Sequence, residues 1–580
     1  MTSSSSVEGF DWIVPEHVPI NLPQINDIPN VLMQLFYRRG IKTEEEIYCY
    51  LSPKLSHLHD PFLIPDMCIA VNRIIKARDQ GELISIFGDF DSDGISATVL
   101  LYEELIRIGC KALSYIPNRS EEGHGLNRAA VEFLESQGVS LIITVDTGIS
   151  AIDEVLYAKY RNIDTIITDH HVPKQNTPEA FAILSCDSFS ENTNEFLYPF
   201  QYLTGAGLAF KLVQALDETL SISILSKSLE MAALGTIADM APLIGENRVI
   251  AIEGLKALKS TERPGYNALF SKLKIDKESV DYSTIPFVIS PRINSPGRMK
   301  SPDLSFSFLT EKNQEKAEFI AIEIENINRQ RMQLTQSSVN LAIEEAAIQS
   351  QTEPLLVLYD EKYHIGLIGL IAGRVAQKYN RPAFVITKQD ELLRGSGRSI
   401  PEFDIVSALE QCSSLFIKHG GHKAAGGFTA NPENFEEIKK TLQIVARKHL
   451  NIEDIRKSII IDSEVMLKDL VGEAFSLISS MEPFGIGNPV PVFISKKVQI
   501  IDSRLLGIRK NYASLKVVQQ NIIWDGFCSS KLLENFSFQP SKNKPIIADL
   551  VYSVEKALHQ GISVLRLRII DFKLYASKDI

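Results

Sequence analysis

The sequence reads Leu83-Ile84-Ser85-Ile86-Phe87-Gly88-Asp89-Phe90-Asp91-Ser92-Asp93-Gly94 at residues 83–94, an apolar run that ends in three aspartates. A short apolar run bounded by Gly or Asp and followed by a helical pattern is typical of a buried parallel strand. Two further runs share this form: residues 141–145 precede Asp146-Thr147-Gly148, and residues 165–168 precede Asp169-His170-His171. The stretch therefore predicts a parallel strand with acidic side chains at its end.

The segments between these runs alternate in the way that a doubly wound α/β domain requires. Their patterns predict helices over 95–108, 128–136 and 150–160 and a strand over 112–116. In an open parallel sheet the carboxyl ends of the strands face one crevice, where ligands bind. The three clusters are expected to meet there, and Asp239 is expected to join them from the end of an apolar helix over 228–238.

Acidic side chains that meet in a crevice repel one another unless cations neutralise them. Carboxylates with one or two imidazoles suit Mn²⁺ or Mg²⁺ better than a zinc site rich in thiolates. Each cluster alone also fits a helix N-cap, a solvated loop or a core histidine, and Gly205-Ala206-Gly207 alone is a weak signal. Four clusters at equivalent element ends favour a site for two divalent cations.

Composition and charge limit the class of protein. The chain has 580 residues, of which 44% are hydrophobic and 23% charged, which predicts about four globular domains. The six cysteines are scattered singly, which predicts that they are reduced. The sequence shows no signal-peptide pattern and no apolar run of about 18 residues, so a cytoplasmic protein is expected. The net charge is −12, yet from residue 496 onward 14 Lys and Arg face 7 Asp and Glu, a local +7. This suggests a footprint for a polyanion, with a mixed solvated surface as the alternative.

The sequence pattern also predicts the domain boundaries. An N-terminal lead segment covers 1–75, a first α/β domain 76–302, one long connecting helix 303–352, and a second α/β domain 353–450. Residues 455–580 contain five short strand patterns, over 497–502, 513–518, 522–528, 545–552 and 564–572, which predict an OB-like barrel. Its candidates for base stacking are Tyr512, Trp524, Phe527 and Tyr552, each of which also fits a core position.

Several rare motifs resemble a known family. The DxDxDG, VDxG and DHH motifs, with Gly235-Thr236-Ile237-Ala238-Asp239-Met240-Ala241-Pro242-Leu243-Ile244-Gly245-Glu246-Asn247-Arg248, are similar to those of the DHH phosphoesterase superfamily. Residues 115–119, 122–126, 291–298 and 482–489 resemble the RecJ family of single-strand-specific DNA exonucleases within it. The similarity runs from about residue 30 to the C-terminus. The chain departs from the family's usual residues at Thr147, Cys186-Asp187, Ser295-Pro296 and Tyr363, and each candidate cation ligand is kept.

The resemblance implies a metal-dependent 5′-to-3′ exonuclease that hydrolyses phosphodiester bonds of single-stranded DNA in repair and recombination. It implies a DHH domain, a connecting helix, a DHH-associated domain and a nucleic-acid-binding OB-like domain. Single-stranded DNA is the expected partner of a monomer that binds no membrane, and a single-strand-binding protein or a helicase is a candidate protein partner.

Two sets of cation ligands are expected, and Asp146 is expected to bridge the two ions. Asp89 and Asp91 complete the first set. The second set consists of Asp93, His170 and Asp239. His171 is expected to face the scissile phosphate while Asp169 orients an imidazole, and the expected catalytic residues are Asp91, Asp93, Asp146, His170, His171 and Asp239. The expected substrate-binding residues are Arg119, His171, Arg292, Asn294, Arg298, His364, Arg374, Ser396, Arg398, Gly421 and His422.

Two other functions remain open at this point. A DHH phosphodiesterase acting on short oligonucleotides or cyclic dinucleotides would not need the basic C-terminal domain. A non-catalytic replication scaffold would not need the intact set of ligands.

Overall fold

A computed structural model of the chain describes residues 10–14, 28–118, 122–123, 125–173, 176–187, 189–190, 195–223, 226–451, 458–508, 510–559 and 562–575. The chain forms two compact units. The central unit is Lys54–Ile452, and the end unit combines Met1–Pro53 with Glu453–Ile580.

The helices and strands are numbered in chain order. The helices are α1 (Asn30–Arg38), α2 (Glu44–Leu51), α3 (Met67–Gln80), α4 (Ser92–Arg107), α5 (Arg128–Ser136), α6 (Ile152–Tyr160), α7 (Gly205–Leu220), α8 (Ser226–Ala238), α9 (Gly245–Lys259), α10 (Pro264–Leu273), α11 (Ser290–Met299), α12 (Asp303–Thr310), α13 (Gln314–Gln349), α14 (Ile368–Tyr379), α15 (Ile405–Glu410), α16 (Phe435–His449) and α17 (Glu473–Ser480). The strands are β1 (Asp11–Ile13), β2 (Leu83–Gly88), β3 (Lys111–Tyr115), β4 (Val139–Val145), β5 (Asp164–Thr168), β6 (Ala182–Leu184), β7 (Phe189–Ser190), β8 (Glu195–Phe196), β9 (Leu356–Tyr359), β10 (Ala383–Gln389), β11 (Leu392–Arg398), β12 (Lys418–His422), β13 (Ala425–Ala430), β14 (Ser458–Ile460), β15 (Ser463–Glu464), β16 (Phe493–Leu506), β17 (Tyr512–Gln519), β18 (Ile522–Ser529), β19 (Ile546–His559) and β20 (Ile562–Leu574).

A parallel sheet in the order β3-β2-β4-β5-β6 lies at the centre of the first α/β domain. Its register pairs Phe87 with Thr144, and Val145 with Thr168. Strands β2, β4 and β5 each end at one of the three clusters, so the clusters lie at one edge of the sheet. The predicted doubly wound α/β domain is confirmed.

Apolar side chains cover both faces of this sheet. Ile84, Ile86 and Ile143 pack in one cluster with helices α4, α7 and α8. Phe87 and Ile142 pack on the opposite face with helices α5 and α6. Because neighbouring residues of a strand point to opposite faces, a strand buried on both sides needs a continuous apolar run. The polar clusters are therefore confined to the ends of the strands.

Residues 303–352 were predicted as one helix and fold as two. Helix α12 ends at Thr310 and α13 begins at Gln314, because Oδ1 of Asn313 accepts a hydrogen bond from the N–H of Lys316 at 3.0 Å and caps the second helix. Asparagine is among the strongest N-cap residues, and a prediction that relies on missing glycine and proline overlooks it. The 36 residues of α13 span about 54 Å at 1.5 Å per residue.

Helix α13 connects the first sheet's domain to a second α/β domain in the central unit. The second sheet has the order β12-β13-β11-β10-β9, in which β9 and β10 are parallel and the remaining pairs antiparallel. Val339, Ala342 and Ala346 of α13 pack with helix α14 and with strands β9 and β10. The second α/β domain is therefore held against the C-terminal half of α13.

The end unit contains a closed barrel. Its sheet order is β15-β16-β17-β18-β20-β19, and β16 also pairs with β19, which closes strands β16 to β20 into a ring. The predicted OB-like barrel is confirmed, with each of its five long strands extending beyond the predicted range on at least one side. Within the described residues, no helix has the length and apolar character needed to cross a membrane.

The first two helices also belong to the end unit. Leu32, Leu35 and Phe36 are fully buried in one cluster with Phe493 and Trp524, and β1 pairs in parallel with β14. The segment 1–75, predicted as one N-terminal lead, is thus divided between the two units at Pro53. Its apolar partners lie more than 400 residues away in sequence, so no local pattern announces this packing.

Candidate metal centre

The four predicted clusters meet at the carboxyl edge of the first sheet. Three groups of side chains could each hold a metal ion, since one ligand atom from each member lies within 4.8 Å of the others. The groups are Asp89 with Asp91 and Asp146, Asp93 with His170 and Asp239, and Asp146 with His170 and His171. Asp146 occurs in the first and third of these groups but not in the group of Asp93 and Asp239, so its role as a ligand shared by the two predicted ions stays a prediction.

Asp146 is buried and has a strained backbone. Its side chain is 5% exposed and its backbone has a φ of +59°, a left-handed conformation that is costly for a non-glycine residue. Burial raises the pKa of Asp146 well above its ordinary value, and Asp93, Asp91 and Asp89 raise it further. Its Oδ1 lies 3.1 Å from Nε2 of His170 and accepts no hydrogen bond. A buried, unsatisfied carboxylate oxygen among further carboxylates fits a divalent cation.

Asp91 and Asp93 connect the end of β2 to two helices. Oδ1 of Asp91 caps α4 by accepting from the N–H of Asp93 at 2.9 Å. Burial and the neighbouring carboxylates Asp89 and Asp93 raise the pKa of Asp91 to about 6. The buried carboxylate of Asp93 accepts the N–H of Gly205 at 2.8 Å and that of Ala206 at 2.9 Å, at the start of α7. Free backbone N–H groups at the N-terminus of a helix stabilise an anion such as this carboxylate.

Two glycines make room for these carboxylates. A Cβ on Gly205 would lie 2.4 Å from Cβ of Asp146, and a Cβ on Gly235 would lie 2.3 Å from Oδ1 of Asp93. The residues Gly205 and Ala206 were missed as functional positions, because a run of small residues carries no signal for the distant carboxylate that it binds. The second glycine, Gly235, could have been recognised in the sequence from its position four residues before Asp239.

The two histidines of the DHH motif have different surroundings. Nδ1 of His171 lies 2.7 Å from Oδ1 of the buried Asp169, whose Oδ2 accepts the N–H of Ile149 at 2.9 Å. This hydrogen bond raises the pKa of His171 to about 9. Burial lowers the pKa of His170, which faces Asp146. Asp169 therefore orients the imidazole of His171, in agreement with the role predicted for it from the sequence. Asp239 lies exposed at the rim of the centre.

Some of the predicted substrate-binding residues reach this crevice from the second α/β domain. The ring of His422 stacks on that of His171, with centroids 5.8 Å apart and an angle of 16° between the planes. Nη1 of Arg398 lies 3.5 Å from Oγ of Ser396, and a Cβ on Gly369 would lie 3.1 Å from the side chains of both. A glycine at this point in α14 thus makes room for the half-buried side chains of Ser396 and Arg398.

Arg298 joins the two α/β domains, and His364 holds the turn of the second domain that Arg298 contacts. Nη1 of Arg298 donates to the carbonyl of Gly366 at 3.4 Å, and Nδ1 of His364 accepts the N–H of Gly366 at 3.1 Å. Gly421, with a φ of +142°, lies one residue before His422 in β12, where a Cβ would be 2.3 Å from the carbonyl oxygen of Ala425. These contacts position the loops of the second domain beside the crevice.

The remaining predicted residues are engaged elsewhere or lie outside the described residues. Nε of Arg292 donates to Glu325 of α13 at 2.7 Å, and Oδ1 of Asn294 accepts from Oγ of Ser92 at 2.8 Å, so both brace the scaffold in this structure. Arg374 is exposed. The pKa of Arg331 is lowered by burial, and further by the positive charges of Arg292 and Arg374. Arg119 falls outside the described residues.

Comparisons with known proteins follow the same division of the chain. Residues 83–236 match the DHH family, N-terminal domain, residues 352–448 match the DHHA1 domain, and residues 461–571 match the RecJ OB domain.

Curated relatives cover most of the chain. The single-stranded-DNA-specific exonuclease RecJ of Bacillus subtilis is 32% identical over 511 residues, which is 87% of this chain and 64% of that protein. The protein of the same name from Salmonella typhimurium is 29% identical over 86% of this chain and 89% of its own length. The match thus spans just under two thirds of the first relative and most of the second.

Solved structures of similar proteins contain metal ions. RecJ from Thermus thermophilus in complex with Mn²⁺ has a TM-score of 0.82 at 23% identity over 98% of this chain and 80% of that chain, which establishes the fold. An exonuclease RecJ bound to manganese has a TM-score of 0.59 at 28% identity, over 69% of this chain and 98% of that chain.

Proposed function

The chain belongs to the RecJ family of DHH phosphoesterases, and from that premise we propose that it is a metal-dependent exonuclease. Its proposed reaction is the stepwise hydrolysis of phosphodiester bonds from the 5′ end of single-stranded DNA, in DNA repair and recombination. The single observation that carries the proposal is the meeting of four acidic and histidine clusters around the buried, unsatisfied oxygen of Asp146. The structures of similar proteins with Mn²⁺ and Mg²⁺ support the same chemistry.

The donor set fits two divalent cations, Mn²⁺ or Mg²⁺. Asp89 and Asp91 would hold one ion and Asp93, His170 and Asp239 the other, with Asp146 between them. When bound, such ions lower the pKa of a water and stabilise negative charge on the oxygens around phosphorus.

The chain's own residues bind and orient the substrate phosphate. His171, held at Nδ1 by Asp169 and with its pKa raised to about 9, would donate a charged hydrogen bond from Nε2 to a phosphate oxygen. His422 supports that ring from the second α/β domain. Ser396 and Arg398, which lie together beside Gly369, would bind a further phosphate. Substrate binding by Arg119, Arg292, Asn294, Arg298, His364, Arg374 and Gly421 stays a prediction.

The barrel of the end unit supports a strand-binding role. Two of the predicted stacking candidates, Trp524 and Tyr552, are buried in the core, but the ring of Tyr512 is 54% exposed and stacks on Phe527 at 5.1 Å. The guanidinium of Arg566 lies 4.6 Å from the centre of the Phe527 ring. Stacked aromatic rings beside arginine are typical of surfaces that bind unpaired bases.

Digestion of one oligonucleotide labelled at either end tests the proposal. With Mn²⁺, the 5′-labelled strand should release labelled mononucleotide from the first time point, whereas the 3′-labelled strand should shorten progressively. Release of mononucleotide first from the 3′ label would contradict the direction. Cleavage confined to cyclic dinucleotides or very short oligonucleotides would favour the small-substrate phosphodiesterase, and failure to cleave any strand would favour the scaffold.

The proposal includes a cytoplasmic, monomeric protein. The cysteines within the described residues are free, which suits a reducing compartment. A single-strand-binding protein or a helicase as partner stays a prediction.

A further inference from the structure

Asn247 lies in the first turn of α9 and is completely buried, with 0% of the residue exposed. Its Nδ2 donates two hydrogen bonds, to the carbonyl of Tyr202 at 2.6 Å and to the carbonyl of Pro242 at 3.2 Å. One side-chain amide thus joins two loops that are 40 residues apart in sequence.

Both carbonyls belong to segments that lead to the metal centre. Pro242 lies three residues after Asp239, and Tyr202 lies three residues before Gly205. The N–H groups of Gly205 and Ala206 hold the carboxylate of Asp93. Asp93 and Asp239 are members of one candidate ligand group, together with His170. The amide of Asn247 therefore connects the segment that carries Asp239 to the segment whose N–H groups hold the carboxylate of Asp93.

The turn after Asp239 is formed by the C-terminus of α8. Met240 has a φ of +59°, and its N–H donates to the carbonyl of Ile237 at 3.2 Å, while the N–H of Ala241 donates to the carbonyl of Thr236 at 3.2 Å. These two backbone bonds are those of a Schellman motif, which ends a helix at a residue in the left-handed conformation. The hydrogen bond from Asn247 to the carbonyl of Pro242 then holds the end of this turn against the start of α9.

The neighbouring residue Glu246 has a different set of partners. Its carboxylate accepts the N–H of His59 at 3.0 Å, Nζ of Lys211 at 3.1 Å and the hydroxyl of Tyr198 at 2.6 Å. This buried network ties α9 to α7 and to the segment at His59, but it makes no bond to the loop at 239–242. Removing one of its bonds provides a control for general loss of stability.

We propose that Asn247 is a positioning residue that sets the distance between Asp93 and Asp239, so that both can bind the same divalent cation. This inference rests on the proposed function, since it assumes that the centre binds metal. Residues that orient the ligands of a metal typically change its affinity by about 10–100-fold when they are replaced. Loss of the Asn247 amide should weaken one of the two ions and leave the ion at Asp89 and Asp91 in place.

Isothermal titration calorimetry of the metal-free full chain with MnCl₂ tests the proposal without any nuclease assay. The wild type should bind two ions. Asn247→Ala should bind one of them at least about tenfold more weakly, and Tyr198→Phe should keep both affinities.

Circular dichroism establishes first that each variant is folded, and Asn247→Ser takes the place of Asn247→Ala if the alanine variant is not. If the Asn247 variant bound both Mn²⁺ ions with unchanged affinity, or lost affinity for both ions equally, the proposal would be overturned. A wild type that binds no Mn²⁺ would instead contradict the metal centre and hence the proposed function.

Discussion

Gly205 lies against Asp146 so closely that a Cβ on the glycine would be 2.4 Å from the Cβ of the aspartate. The N–H of the same glycine donates to Asp93 at 2.8 Å. The first residue of α7 therefore contacts two carboxylates that come from the ends of different strands. Its missing side chain and its backbone amide are both needed for the centre.

Gly205→Ala should reduce hydrolysis of a 5′-labelled oligonucleotide by at least about 100-fold, because displacing a reacting group by about 1 Å has an effect of that size. Binding of Mn²⁺ should weaken in parallel. Gly207→Ala is the matched control, since the atoms nearest to its Cβ would be Cδ2 and Cβ of Leu203, at 3.2 and 3.3 Å, and Oγ1 of Thr204, at 3.6 Å, none of which belongs to a candidate ligand. Equal activity of the two variants would show that the contact with Asp146 is unimportant.

Asp146→Asn should abolish hydrolysis and stabilise the metal-free protein at high pH. The pKa of Asp146 is raised above its ordinary value of 3.8, so its favourable contribution to folding is fully present below about pH 3.8 and is lost as pH rises through the folded pKa. Asparagine removes that charge and tolerates the left-handed φ, unlike alanine.

Thermal denaturation in EDTA measures this effect. The melting temperature of Asp146→Asn minus that of the wild type should increase from pH 5 to pH 9, reaching about 2–4 °C. Added Mn²⁺ should then stabilise the wild type more than the variant. A difference that stays constant with pH would show that Asp146 is not destabilised by its charge.

Tyr512→Ala should weaken binding of a long single strand by about 10–100-fold, as expected for the loss of one stacking surface. The dependence of affinity on salt should remain unchanged, since stacking releases no counterions from phosphates. Fluorescence anisotropy at several salt concentrations measures both quantities. Tyr48→Ala, which removes another exposed tyrosine from the end unit, is the control. If both variants bind equally well, the ring of Tyr512 does not contact the strand.

The fragment 54–452 should hydrolyse very short oligonucleotides, because it contains every proposed ligand and both α/β domains. Removing only residues 455–580 should instead give a poorly behaved protein, since Leu32, Leu35 and Phe36 would lose the apolar cluster that buries them. Gel filtration and circular dichroism distinguish the two. A well-folded, monomeric protein after the second deletion would contradict the assignment of α1 and α2 to the end unit.

The sequence predicted the first sheet and the meeting of its clusters because both follow from short-range rules. Residues 83–87 and 141–145 are continuous apolar runs, and the ends of parallel strands share an edge. The amides of Gly205 and Ala206 escaped prediction because they bind a carboxylate 112 residues away. The break at Asn313 escaped because one capping residue divides a long helical pattern. The ion pair of Arg292 with Glu325 could not be foreseen, since a surface arginine and an internal one look alike in sequence.

The composition of the end unit has a consequence for synthesis on the ribosome. Leu32, Leu35 and Phe36 are synthesised early, but the barrel that buries them is complete only after about 540 further residues, at the end of β20. At roughly 5–20 residues per second, these side chains wait about 27–108 s for their partners. During that time the nascent chain exposes these three apolar side chains, which favour aggregation until the barrel buries them.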